Sequence, residues 1–207
     1  MYLNEDLFIE FLNQRELLWT GIDFSKAKFT RQGFEYPQEV LQYYLFGWNT
    51  AIINNQKKYD IRLSFQKPIM HYDLSRVTKL NKGIKASHLL CKVISHADIL
   101  NEDQVCAYVA SFSYDTQVSF SLSFIVDYFD SIIKRASIWV VIAKTASSEP
   151  VLVENFLKIP GGFGTNNYWA RTFYDLLFDI KTSAFIRWKN MVQNRISSLS
   201  EKGDKNI

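Results

Sequence analysis

The stretch QVSFSLSFIVDYF, Gln117 to Phe129, constrains the fold more than any other part of the chain. Val118, Phe120, Leu122, Phe124 and Val126 alternate with Ser119, Ser121 and Ser123. Successive side chains of a strand point to opposite faces, so this pattern specifies a strand with one apolar face and one serine face. The apolar face has to be covered, and the serine face is expected to be wet or paired. Residues 138–145 are apolar on both faces and rich in β-branched side chains, the pattern of a central strand. Alternation resumes over 151–159, and Ala146 to Pro150 between the two is turn-like, so a hairpin is expected there.

Helical periods flank this group. Leu7, Phe8, Phe11 and Leu12 follow a capping Asn4, with Glu5 and Asp6 in the first turn, and predict a short amphipathic helix. Pro37 suits a first helical turn, and Val40, Leu41, Tyr44, Leu45, Trp48 and Ile52 carry an apolar stripe as far as Asn54 and Asn55. Asn101 and Gln104 form a capping box, with Leu100 and Val105 as a hydrophobic staple, for a helix ending near Ser113. The longest stripe is Trp169, Phe173, Leu176, Ile180, Ala184, Trp188 and Val192, a helix from about Asn167 to about Arg195. Residues 197–207 are polar and expected to fray.

Between these elements, 17–29 reads as a strand interrupted near Gly21, and 59–65 as a strand because Ile61, Leu63 and Phe65 alternate with Arg62 and Ser64. Residues 66–85 sustain neither period and read as connecting structure, and 86–94 is open to a strand. Strands and helices mix without a strict βαβ rhythm, so the expected architecture is α+β, an antiparallel sheet with helices on one face, in a single domain spanning 1–207.

Composition excludes several classes. Aromatic residues make up 15% of the 207, enough apolar area to rule out a disordered chain. Lys and Arg number 24 against 21 Asp and Glu, a balance too even for a nucleic-acid partner. No run of about eighteen apolar residues is present, so no spanning helix is expected. Glu5, Asp6 and Glu10 oppose reading the N-terminus as a signal peptide, which places the chain as written in the cytoplasm.

The turn PGGFGTNNYW, Pro160 to Trp169, lies between a strand and the longest helix. Gly161, Gly162, Gly164, Thr165, Asn166 and Asn167 are the candidate ligand-binding residues, since glycines before a helix let backbone N–H groups converge on an anion. The turn meets neither the G-x-G-x-x-G fingerprint nor the Gly-Lys-Ser/Thr ending of a P-loop, and a plain reading has Pro160 end the strand while Thr165 to Asn167 cap the helix. No cofactor is expected. His88, Cys91 and His96, near His71 and Asp98, match no standard zinc spacing, so no metal is expected. No G-x-S-x-G or comparable cysteine context is present, and the pairs Asp127/Asp130 and Asp175/Asp179 fit solvated or structural roles as well as catalytic ones. A catalytic set is therefore not assigned.

The segments LLWTGIDFSKAKF and IPGGFGTNNYWARTFYDLL, through the W-x-G-x-D-x-S pattern of Trp19 to Ser25, the PGGFG turn and the Asn167-Tyr168-Trp169 helix start, resemble a family of uncharacterised bacterial proteins, many of them exported. The resemblance covers both ends of the chain and implies a fold, an export route with the leader removed, and no reaction. The function expected from all of this is a non-enzymatic domain binding a protein or small ligand, with a small enzyme or phosphate binder at Gly162 to Thr165 as the alternative, and self-association through the strands of 117–159 as a third possibility.

Overall fold

The computed structural model describes residues 1–193. Eight strands form one sheet: β1 (Tyr2–Leu3), β2 (Glu16–Asp23), β3 (Lys28–Thr30), β4 (Ile69–Tyr72), β5 (Leu90–Cys91), β6 (Phe120–Asp130), β7 (Arg135–Lys144) and β8 (Pro150–Lys158). Their order is β1-β8-β7-β6-β2-β4, with β3 continuing the line of β2 along β6 and β5 lying beside β3. The expected hairpin is present, and β6, β7, β8 and β1 are antiparallel. The sheet as a whole is mixed, because β2 and β3 run parallel to β6 and each pairs in parallel with β4 or β5 on its other side. Parallel partners far apart in sequence leave no local signature, which is why the antiparallel expectation fails in this half.

The helices are α1 (Glu5–Asn13), α2 (Pro37–Glu39), α3 (Leu45–Asn54), α4 (Ile61–Ser64), α5 (Ser75–Lys82), α6 (Ala86–Leu89), α7 (Glu102–Val109) and α8 (Thr165–Asp179). A π turn, Val40–Tyr44, joins α2 to α3, and a second, Ile180–Ala184, carries α8 on into a helix that runs through residue 193. The expected end near Arg195 and the tail at 197–207 lie outside the described residues. All seven residues of the C-terminal stripe are buried. From Leu176 onward that stripe advances in fours, and each such step overshoots an α-helical turn by about 40°. The π turn absorbs the drift: Phe185 N–H bonds the Ile180 carbonyl, and these residues, five apart, both face the core. Val40 and Leu45 repeat the device in the earlier helix.

The sheet has two cores, not one. Phe120, Leu122, Phe124 and Val126 join α1, α3 and α8 in the larger cluster, while Ile125, Trp139, Val141 and Val153 meet Val105 and Val109 of α7 on the opposite face. Helices therefore lie on both faces, and the serine face of β6 is largely covered. Ser121 and Ser123 are buried, Ser123 Oγ lying 2.5 Å from Thr20 Oγ1 and Ser121 donating to the Ala143 carbonyl. Small hydroxyls with internal partners can be buried at little cost.

Other expectations are corrected locally. Residues 61–64 are helical because Asp60 caps Leu63 N–H at 2.9 Å, and Ile61 and Phe65, one turn apart, are both buried. The stretch read as connecting holds β4 and α5, and 86–94 holds α6 and only two strand residues. The strand of 17–29 is broken into β2 and β3, with a register shift between Trp19 and Gly21. Four rings fix the far end of the fold: Trp169 stacks on Phe129 at 4.5 Å and on Phe34 at 5.5 Å, and Phe29 stacks on Phe129 at 4.7 Å.

Candidate functional site

Along β2 the sheet edge is incomplete. β4 ends with Tyr72 opposite Trp19, and β5 begins opposite Phe29 of β3. The peptide groups of Ile22 and Phe24 fall in the gap, where buried N–H and C=O groups need partners. Asn49 of α3 and Asn81 of α5 supply them. Asn49 Oδ1 accepts from Ile22 N–H at 2.7 Å and its Nδ2 donates to Ile22 and Leu45 carbonyls. Asn81 Oδ1 accepts from Phe24 N–H at 2.9 Å, and its Nδ2 also donates to the Ile22 carbonyl. Two side-chain amides thus replace a stretch of strand.

Above these amides lies a groove of about 440 Å³, the scale of a small-molecule site. Leu41, Leu45 and Phe46 form one wall, Ile84 the other, and Gln38, Gln42, Thr78 and Lys82 the polar rim. The π turn contributes Leu41 and Gln42, a placement that π bulges often have at functional sites. The amides of the floor are already committed to β2, so the floor is stiff and the walls present mainly apolar surface.

Behind the opposite wall, α5 is anchored by a buried ionic cluster. Asp23 is fully buried at the end of β2; its Oδ2 accepts from Tyr108 Oη at 2.8 Å and Arg76 Nη1 at 3.2 Å, and its Oδ1 accepts from Ser25 N–H. Ser25 Oγ sits 2.9 Å from Tyr108 Oη. Arg76 packs its guanidinium over the Phe112 ring. Burial first, and the Asp23 carboxylate next, push the Tyr108 phenol up to about 12, so it stays a donor. The W-x-G-x-D-x-S pattern is accounted for by this architecture: Trp19 fills the core, Gly21 marks the break, and Asp23 and Ser25 lock α5 and α7 to β2.

The glycine turn stands elsewhere. Gly161 N–H bonds the Tyr168 carbonyl, Tyr168 N–H bonds the Gly164 carbonyl, and Asn166 accepts from Trp48 Nε1 at 3.1 Å. Gly162 and Gly164 have φ of 111° and 77°. Asn167 backs onto Gly162 through its own backbone. Gly164 is the N-cap and no side chain caps α8, which corrects the capping expected of Thr165 to Asn167. Thr165 opens onto a hollow of about 210 Å³ shared with Glu35 and Glu39, whose carboxylates set the local field against a phosphate.

The remaining candidates are dispersed. His88 lies on α6, Cys91 on β5 and His96 in a 3₁₀ turn, and no three His, Cys, Asp or Glu side chains converge among the described residues. Asp127 accepts from Leu100 N–H and Ser137 Oγ, both at 3.0 Å, and burial pushes it up to about 6. Asp130 caps the β6–β7 turn, Asp175 pairs with Arg171, and Asp179 pairs with Lys158. No helix among the described residues is long and apolar enough to cross a membrane. The fold defines the class, an α+β protein with a mixed sheet. No protein-family model and no curated protein matches the chain.

Sequence reasoning passed over the groove. Asn49, a poor helix former on the apolar stripe between Leu45 and Ile52, was a readable mark of it. Val77, Leu80, Asn81 and Ile84 also carry a helical spacing, obscured by Pro68 and Gly83 around it.

Proposed function

We propose that the chain is a non-enzymatic binding domain whose site is the groove between the π turn with α3 and α5, and whose ligand is a small amphiphile with an acidic end. The single observation behind this reading is the contrast between apolar walls and one cation, Lys82, at the rim. An alkyl or aromatic body gains by leaving water against Leu41, Leu45, Phe46 and Ile84, and a carboxylate at its end meets Lys82. The test is a thermal-shift series with medium-chain carboxylates, the matching alcohols and inorganic phosphate, on the parent chain and Leu41→Arg. Stabilisation by the carboxylates, weaker with the alcohols and lost in Leu41→Arg, is expected. Carboxylate shifts that persist in Leu41→Arg reject the groove. Stabilisation by phosphate alone, lost when Gly162 is made bulky, favours the anion-binding turn at Gly162 to Thr165.

A further inference from the structure

Three loops meet at the end of the sheet where β6 turns into β7. Ser131 Oγ donates to the Gln32 carbonyl and lies 2.7 Å from Thr30 Oγ1, which joins the loop of 31–36 to the β6–β7 turn. A methyl group on Gly33 would lie 3.1 Å from Ser131 Cβ. Thr165 shares its hollow with Gly33 and Tyr36, which brings in the glycine turn, and Ile159 follows Lys158, the residue paired with Ala136 at the start of β7.

The tips of these loops carry apolar side chains turned to water. Ile132 is 50% exposed, Ile133 60%, Ile159 60%, Tyr36 67% and Phe163 95%. A turn needs glycine, Asn or Asp, and a phenylalanine that is almost wholly exposed adds nothing to the fold. Apolar side chains gathered on one end of a chain mark a contact surface. On the β6–β7 turn the charge is positive: Lys134 and Arg135 follow Ile133 directly, are exposed, and make no ion pair among the described residues. The acid of the same turn, Asp130, is buried and spent on the N–H groups of Ile132 and Ile133. Glu35 and Glu39 are the opposing charges and line the hollow between the loops.

We propose that this end docks on an anionic lipid surface, with Phe163, Ile132 and Ile133 entering the boundary between headgroups and acyl chains and Lys134 and Arg135 meeting lipid phosphates. Apolar tips on separate turns suit a soft surface into which each can sink alone, and a cationic collar matches its charge. The glycine turn then has a role that the fold by itself does not assign: it holds Phe163 outward.

The experiment is co-sedimentation of the full chain with phosphatidylcholine vesicles, with and without phosphatidylglycerol, for the parent, Ile133→Ser/Phe163→Ser and Lys134→Glu/Arg135→Glu. All four positions are exposed, so unchanged circular dichroism and melting are expected and checked. The parent is expected to sediment with the anionic vesicles, and each double variant to bind roughly tenfold less, the charge variant matching the parent's loss in high salt. Failure of the parent to bind anionic vesicles, or unchanged binding by Ile133→Ser/Phe163→Ser, overturns the proposal. A concentration-dependent dimer in light scattering that Ile133→Ser/Phe163→Ser abolishes also overturns it, by giving the patch to a second copy.

Discussion

Asn49 and Asn81, on different helices, each donate to the carbonyl oxygen of Ile22 at 3.0 Å. The two helices that frame the groove are thereby registered on one peptide group of β2. Asn49→Ala is expected to cost about 2–4 kcal/mol, since it leaves Ile22 N–H without its partner, and Asn81→Ala about 1–3 kcal/mol through Phe24 N–H. In either single variant the Ile22 carbonyl keeps one donor; in the double variant it has none. Urea unfolding of the double variant should therefore show a loss larger than the sum of the singles. Additivity within about 0.5 kcal/mol would contradict the shared acceptor.

Gly21 lies where this edge turns. Its φ is 98°, and a Cβ would lie 2.6 Å from Val77 Cγ2, 2.7 Å from Asn49 Oδ1 and 2.8 Å from Leu74 Cδ2. Backbone strain and overpacking both oppose a side chain there, so Gly21→Ala should lose roughly 3 kcal/mol or more, or fail to fold. Gly164 separates the two effects, for its φ is 77° but nothing lies within 4 Å of an added Cβ. With ψ at 145°, outside the left-handed helical region, Gly164→Ala meets backbone strain alone and should cost about 1–3 kcal/mol. Equal losses in thermal melts of the two variants would show that the contacts around Gly21 contribute nothing.

Much of the fold follows from local pattern, and the exceptions share a cause. The β6–β7–β8 meander, the capping box of α7 and the long C-terminal stripe are properties of neighbouring residues. The parallel pairing of β2 with β6 joins Leu18 to Ser121, across a separation that no window of sequence spans. For Ser121 and Ser123 the sequence leaves wet and paired open, because burial of a hydroxyl depends on partners contributed by β2 and β7. The alternation at 61–65 satisfied a strand period and a helical one together, and Asp60 decided between them. The groove is harder still to read, because its floor consists of two amides that repair a gap in a ladder formed elsewhere.

Asp127 makes stability depend on mild acid. Burial raises its pKa to about 6 from 3.8, so between those values the folded chain holds a proton that the unfolded chain has lost. The contribution is fully present below pH 3.8 and is lost as pH rises through about 6. Asp127→Asn keeps an acceptor for Leu100 N–H without the buried charge. It should raise stability at neutral pH by about 1–3 kcal/mol and flatten this part of the stability profile. Denaturant midpoints taken across the acid range check this, and a variant with the parent's slope would assign the dependence to another group.

Lys67 works at the other end of the scale. It is buried against Phe11, with its ammonium donating to the Phe11 carbonyl and, at 2.8 Å, to that of Gln14, where α1 ends. No carboxylate pairs with it among the described residues, and burial lowers its pKa from 10.5 to about 8. Between those values the unfolded chain binds the extra proton, so the Lys67 contribution to stability rises with pH across that window and is absent below it. The rise is at most about 3 kcal/mol. Tyr108 acts in the opposite sense from its ordinary 10.0 upward, because its phenol is held protonated to about 12 in the fold. Stability should consequently climb from pH 8 and turn over near pH 10 to 11. Lys67→Met loses the two carbonyl bonds and should be less stable at pH 9, and its profile from 8 to 10 should lack the rise that Lys67 gives the parent, leaving the downward trend of the Cys91 and Cys106 thiols, both pushed up by burial. A parent profile with no rise relative to Lys67→Met between pH 8 and 10 would show that the Lys67 ammonium is solvated in the folded chain.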